Sequence, residues 1–139
     1  MPRQVRSSQI HRVIDANYNR AKEGLRVCED VCRFVKDDPK ATARFKKLRH
    51  DLTAAVAIFG LKDIAASRDI IRDVGRKTIA AESCRSSIGD IFYANAQRVK
   101  ESLRVLEEFA KLKDAHVASG LKKLRYTVYE IEKNALKRM

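Results

Sequence analysis

Apolar residues recur along most of this chain at the three- and four-residue spacing of a helix rather than the two-residue alternation of a half-buried strand. From Ser7–Ser8 to about Val35, the residues Ile10, Val13, Ile14, Ala21, Gly24, Leu25, Cys28, Val31 and Cys32 share one stripe. That stripe predicts a long first helix. Asp37-Asp38-Pro39 reads as a stop and restart, with Asp38 as N-cap and Pro39 at the first helical position, where a missing N–H costs nothing. Ala41, Phe45, Leu48, Leu52, Ala55, Val56 and Phe59 predict a second helix ending near Gly60. A third helix is predicted from near Ser87, where Asp90 resembles a capping box, to about Leu112. The fourth spans roughly Ala115 to Leu136, with Val117, Leu121, Leu124, Val128 and Ile131 on one stripe. Residues 61–86 form a crossover. Its first part is expected to continue as a short helix to about Ile71, and the remainder, with Gly75 and scattered Ser and Thr, reads as loop. No sheet is predicted.

The polar positions repeat as well. At an offset of 78 residues, ANYNRAKEGLRVCEDVCRFV from Ala16 aligns without a gap to ANAQRVKESLRVLEEFAKLK from Ala94, with nine of 20 positions identical. Fixed-period self-similarity is the mark of a duplicated structural unit. KKLRH at 46–50 matches KKLRY at 122–126 with an offset of 76, so the connecting loop is two residues shorter in the second copy. The expected fold is all-α: a four-helix bundle built from two duplicated helical hairpins, 8–60 and 87–138, with pseudo-twofold symmetry and a functional crossover loop. The 139 residues fit a single helical domain, 1–139.

Composition narrows the class. Lys and Arg number 30 against 18 Asp and Glu, a formal charge of +12, and such an excess suits an anionic partner. Three cysteines, Cys28, Cys32 and Cys84, are an odd number without C-x-x-C spacing, which points away from a disulfide framework or a zinc site. The counterparts of Cys28 and Cys32 in the second copy are Leu106 and Ala110, so both read as core filler. No segment approaches the ~18 apolar residues of a membrane span, and MPRQVRSSQI has no signal-like apolar run. The expectation is a cytoplasmic protein without a membrane partner.

Duplicated residues that core packing would not select carry the candidate chemistry. Asn17 and Asn95 fall within apolar faces, where a buried amide needs its donors and acceptor met. They either bond across the symmetry axis or face a ligand. Arg20 and Arg98 lie one turn further on, and Arg49 and Arg125 flank the stripe of the second helix in each hairpin. Each requires a carboxylate or a phosphate for its fork of donors. Glu23, Glu29, Glu101 and Glu107 offer internal partners, with Glu23 and Glu101 also candidates for substrate contact. Arg26 and Arg104 point to a solvated face. In the crossover, Arg68, Asp69, Asp73 and Gly75 gather in one charged loop. There either aspartate can hold Mg²⁺ or serve as a base, the arginines can meet phosphate, and Gly75 permits close backbone approach. Neither G-x-x-x-x-G-K-[ST] nor G-x-G-x-x-G occurs.

DANYNRAKEGLRVCEDVCRF, RDVG and ANAQRVKESLRVLEEFAKL, followed by LRYTVYEIEK, resemble the all-helical hydroxymethylpyrimidine-phosphate kinase domain of thiamin biosynthesis, over roughly residues 9–133. That domain occurs alone or fused ahead of thiamin-phosphate synthase. The resemblance implies a phosphotransferase that uses ATP and Mg²⁺ to convert 4-amino-5-hydroxymethyl-2-methylpyrimidine phosphate to its diphosphate. For that reaction the chemistry of the residues themselves gives the expected site: Asn17, Arg20, Asn95 and Arg98 on substrate and phosphates, with Asp69 or Asp73 on Mg²⁺ and Arg68 beside them. Thiamin-phosphate synthase would be a functional partner, and pairing of helix faces would give a homodimer. A basic helical module binding nucleic acid or another polyanion is the weaker alternative, and a purely structural bundle with internally paired charges is a third.

Overall fold

Residues 4–79 and 84–139 are described in a computed structural model. Among them are five α-helices and no strand: α1 (Ser7–Asp30), α2 (Pro39–Val56), α3 (Leu61–Ala66), α4 (Ile88–Ala110) and α5 (Ala115–Leu136). Crossover residues 80–83 and the first three residues of the expected domain lie outside the described residues.

The helix starts follow local chemistry. The Asp38 carboxylate accepts from Ala41 N at 3.0 Å ahead of Pro39, Ser87 Oγ accepts from Asp90 N at 3.0 Å, and Asp114 Oδ1 accepts from His116 N at 2.8 Å. Each such cap is worth about 1 kcal/mol. The first helix runs to Val35 as expected, but its last turn, Val31–Val35, widens to π geometry. Lys36 N there reaches Val31 O at 3.0 Å, and Asp37 turns the chain at φ 49°. The second helix tightens into a 3₁₀ turn, Ala57–Phe59, and closes at Gly60 with φ 78°. The short helix after it stops at Ala66, several residues before the expected Ile71.

The core is one cluster. α1 packs most extensively on α4, α4 on α5, α1 on α2, and α2 more lightly on α5, while α3 covers α1. Phe45 and Phe92, both fully buried, meet edge to face at 5.9 Å, the geometry that ring quadrupoles favour. Cys28 and Cys32 are buried in this core as expected, and Cys84 is exposed. α1 and α4 run antiparallel: Cys28 Sγ lies 3.7 Å from Phe92 O, while Gly24 faces Asn95 and Val99. A Cβ at Gly24 would stand 2.6 Å from Val99 Cγ2 and 3.0 Å from Asn95 O, so this glycine sets how closely the two helices approach.

Ion pairs link α1 to α2 and α4 to α5. Arg49 Nε and Nη2 meet Glu29 at 2.9 and 3.2 Å, and Arg125 Nη2 meets Glu107 at 2.9 Å. Lys100 Nζ lies 2.7 Å from Glu132 and over the Tyr129 ring.

Candidate functional site

One face of α1 forms the spine of a groove. Gln9, Arg12, Val13, Ala16, Asn17 and Arg20 follow i, i+3, i+4 spacing and so line one side of the helix. α4 supplies the facing wall through Ala94, Arg98, Glu101, Ser102 and Val105, and these with Asn17, Arg20 and Gly75 enclose a cleft of about 540 Å³. Asn17 and Arg20 also line an adjoining cleft of about 420 Å³, whose other wall is the crossover: Arg68, Asp69, Ile70 and Asp73. A third cleft, about 590 Å³, continues past Gln9, Arg12 and Asp69 to Arg6, Ser8, Ser67 and Arg72. The first and second clefts share Asn17 and Arg20, and the second and third share Gln9, Arg12 and Asp69, so the three lie in a row along α1 as one channel-like groove.

The crossover is tied to the spine by Arg68, whose Nε and Nη2 each donate to the Asp15 carboxylate at 2.7 Å. Asp15 is buried and also accepts from Asn19 Nδ2. Its hydrogen bond and charge hold the Arg68 guanidinium above its usual pKa. Nearby, Asp69 Oδ1 accepts from Arg72 N at 3.1 Å, and Asp73 Oδ1 accepts from Gly75 N at 2.9 Å. The loop therefore organises its own backbone through these two carboxylates, and both residues line the cleft. Gly75 is not left-handed, and a Cβ there would meet only Asp73 Oδ1 at 3.6 Å. The fold does not require glycine at that point.

The structure gathers most of the expected residues and separates the rest. Asn17, Arg20, Arg98, Glu101, Gly75, Arg68, Asp69 and Asp73 all line the channel. Asn17 and Asn95 do not bond to each other: Nδ2 of Asn17 donates to Val13 O at 2.9 Å, and that of Asn95 to Ile91 O at 2.8 Å. Asn17 reaches the channel, whereas Asn95 sits where α4 meets Gly24 and lines none of the three clefts. Glu23 is exposed and lines none of them either. Of the two partners open to Arg49 and Arg125, a carboxylate or a phosphate, the structure shows the carboxylate: Glu29 and Glu107 engage their guanidinium groups, and both side chains are nearly buried. Arg26 and Arg104 are exposed as expected.

Asp15, Arg12, Gln9 and Ser102 were missed as site residues. Gln9, Arg12 and Asp15 precede the aligned block, which starts at Ala16, and Ser102 stands opposite Gly24 as a small residue, so none of them appeared as a duplicated polar position.

Two carboxylates on one loop are compatible with Mg²⁺, which is commonly held by one or two carboxylates plus substrate phosphates and water. No cluster of three or more His, Cys, Asp or Glu that could hold a metal occurs among the described residues. A smaller hollow at the far end, about 170 Å³ between α2 and α5, is lined by Lys40, Arg44, Lys137 and Arg138. Its arginines are already engaged, Arg44 by Glu130 at 3.4 Å and Arg138 by Asp38 at 3.1 Å, and it lacks the crossover. No helix among the described residues is long and apolar enough to cross a membrane.

The chain is similar to a thiamine-phosphate synthase of Synechocystis sp., 41% identical over 134 residues, covering 96% of this chain and 38% of the relative. It is also similar to thiamine-phosphate synthases of Nostoc punctiforme, 39% identical over 91% of this chain and 35% of the relative, and of Rhodopirellula baltica, 37% identical over 88% of this chain and 33% of the relative. The chain thus spans little more than a third of the length of these relatives. No solved structure matches it at a significant level. Residues 12–134 match the ThiD2 family, and with nearly the whole channel inside that span, the chain belongs to the ThiD2 family.

Proposed function

We propose that this chain is a kinase of thiamin biosynthesis that transfers the γ-phosphoryl group of ATP to 4-amino-5-hydroxymethyl-2-methylpyrimidine phosphate, releasing the diphosphate and ADP. The observation that carries this reading is the channel itself. Arg20 and Arg98 line one cleft, and Arg20 also lines the adjoining one with Arg68, Asp69 and Asp73, in a chain of the ThiD2 family. Phosphoryl transfer is catalysed mainly by positioning and charge neutralisation, and this arrangement supplies both.

The chemistry asks little of a general base. The acceptor is a phosphate monoester, largely ionised at neutral pH. Its oxygen forms a bond to the γ-phosphorus as the bond to the β–γ bridging oxygen breaks, and ADP leaves. In this reading Arg20 and Arg98 hold the acceptor phosphate. The Asn17 amide has its donor tied to Val13 O, so its oxygen is left to accept from the exocyclic amine of the pyrimidine. Glu101 and Ser102 supply further polar contacts, and Ala94 with Val105 gives the ring an apolar wall. Asp69 and Asp73 would hold Mg²⁺, which when bound neutralises phosphate charge. Arg68, fixed by Asp15, keeps the crossover against the channel.

We also read the four long helices as a bundle of two duplicated hairpins. The equivalent pairs Glu29–Arg49 and Glu107–Arg125 support this, as do the matching side-chain bonds of Asn17 and Asn95. The net charge of +12 also suits a nucleic-acid binder. The channel lining, however, contains no aromatic ring on which a base could stack, and stacking is the usual source of single-strand affinity.

The test is a coupled assay for ADP release with ATP, Mg²⁺ and the pyrimidine phosphate, using the unphosphorylated alcohol as control. Turnover that depends on the phosphate is expected, with loss of roughly a hundredfold or more in Asp73→Ala and Arg20→Ala proteins that keep their helical circular dichroism. Absence of turnover from folded wild type rejects the kinase, and full activity in both variants rejects the site.

A further inference from the structure

The channel changes character along its length. At the α4 end, two arginines, one carboxylate, Asn17 and Ser102 surround a wall of Ala94 and Val105, a lining suited to a small ring with one anionic group. At the other end, Arg6, Arg12 and Arg72 face one carboxylate, Asp69, among Ser8, Gln9 and Ser67, with Val5 as the single apolar residue. That end has no surface for a ring and more positive charge than one phosphate requires. Asp69 lies at the junction, lining both this cleft and the middle one.

The guanidinium groups at this end are available. Among the described residues Arg12 has no ion-pair partner, and Arg72 has only Asp69, at 3.5 Å on an exposed surface. Arg68, by contrast, is committed to Asp15 through both arms of its fork. The α1 stripe from Gln9 to Arg20 spans about 16 Å at 1.5 Å per residue, so two ligands can lie end to end along it and meet at the aspartates.

The geometry points to a polyphosphate subsite formed by Arg6, Arg12 and Arg72, which takes the triphosphate chain of the donor nucleotide and delivers its terminal phosphoryl group toward Asp69 and Asp73. This assignment rests on the kinase reading for its role, but binding can be measured without it. Arginine forks suit phosphate because they donate two parallel hydrogen bonds to its oxygens. Removing one charged hydrogen-bonding group costs roughly tenfold to a hundredfold in affinity.

The experiment is calorimetric titration of the full chain with inorganic tripolyphosphate in the presence of Mg²⁺, alongside KM for ATP and for the pyrimidine phosphate. Arg12→Gln and Arg72→Gln are expected to weaken tripolyphosphate binding and raise KM for ATP by about the same factor, leaving KM for the pyrimidine phosphate unchanged. Arg98→Gln is expected to do the reverse. Arg44→Gln, in the hollow at the far end, is expected to do neither. The subsite is overturned if wild type does not bind tripolyphosphate or if Arg12→Gln binds it normally. It is equally overturned if Arg44→Gln weakens binding as much, since attraction would then be spread over a basic surface. Tripolyphosphate binding lost in Arg12→Gln, from a wild type with no turnover, keeps the subsite and rejects the kinase. Turnover in which Arg98→Gln alone raises KM for ATP keeps the kinase and rejects the subsite.

Discussion

Glu107 and Arg125 show how the same residue types divide between structure and chemistry. Both side chains are almost fully withdrawn from water, and the two guanidinium donors on Glu107 Oε2 lie at 2.9 and 3.3 Å. Burial disfavours the charged guanidinium, yet Glu107, with Tyr129 and Tyr126 beside it, more than offsets this and holds the Arg125 pKa above its usual value. Glu107→Ala strands that cation, and breaking a buried pair from one side costs about 3–5 kcal/mol. Urea unfolding should show a loss of that size, against a change within about 0.5 kcal/mol for Arg26→Ala on the exposed face. The sequence displayed both duplicated arginines and both duplicated glutamates but could not assign partners. Arg125 meets Glu107 only because α5 packs on α4, and spacing along a single helix carries no such information.

At the scale of elements, caps and stops were legible because they are made by neighbours in the chain: Asp38 with Ala41, Ser87 with Asp90, Asp114 with His116. The end of α3 was not, since the residues after it answer to Asp15 on another helix. Glycine likewise depends on what lies opposite. Gly24 faces Val99 and the Asn95 carbonyl, while a Cβ at Gly120 would meet nothing within 4 Å. Gly120→Ala, in an open helical position, should stabilise by about 0.4–1 kcal/mol. Gly24→Ala should destabilise by roughly 1–3 kcal/mol, because α1 and α4 must separate. Thermal or chemical unfolding of the two single variants compares the signs directly, and like signs would contradict the α1–α4 contact.

Across the whole molecule, the buried thiols link stability to pH. An ordinary thiol titrates near 9; burial, with Asp38 nearby, pushes Cys32 up to about 11, and burial, with Cys32 and Glu132 nearby, pushes Cys28 higher still. The native state therefore keeps protons that the unfolded chain releases above about pH 9. This contribution is fully present below that pH and falls as pH rises toward 11, by about 1.4 kcal/mol per unit for each thiol. Urea midpoints at pH 8 and 10 should diverge more for wild type than for a Cys28→Ala/Cys32→Ala protein, and equal slopes would reject the linkage. By itself, the sequence determined the all-helical class, most helix boundaries, the buried cysteines and the residue types of the channel. These follow from periodicity and from contacts within a few residues of each other. Only the tertiary structure decided which polar residues meet one another and which meet solvent space. It spent Arg49 and Arg125 on internal carboxylates, set Asn95 apart from Asn17, and brought Asp15 to Arg68 across 53 residues. A groove exists between helices, and which faces border it is fixed by their antiparallel packing around Gly24, a relation that the order of residues in one chain does not contain.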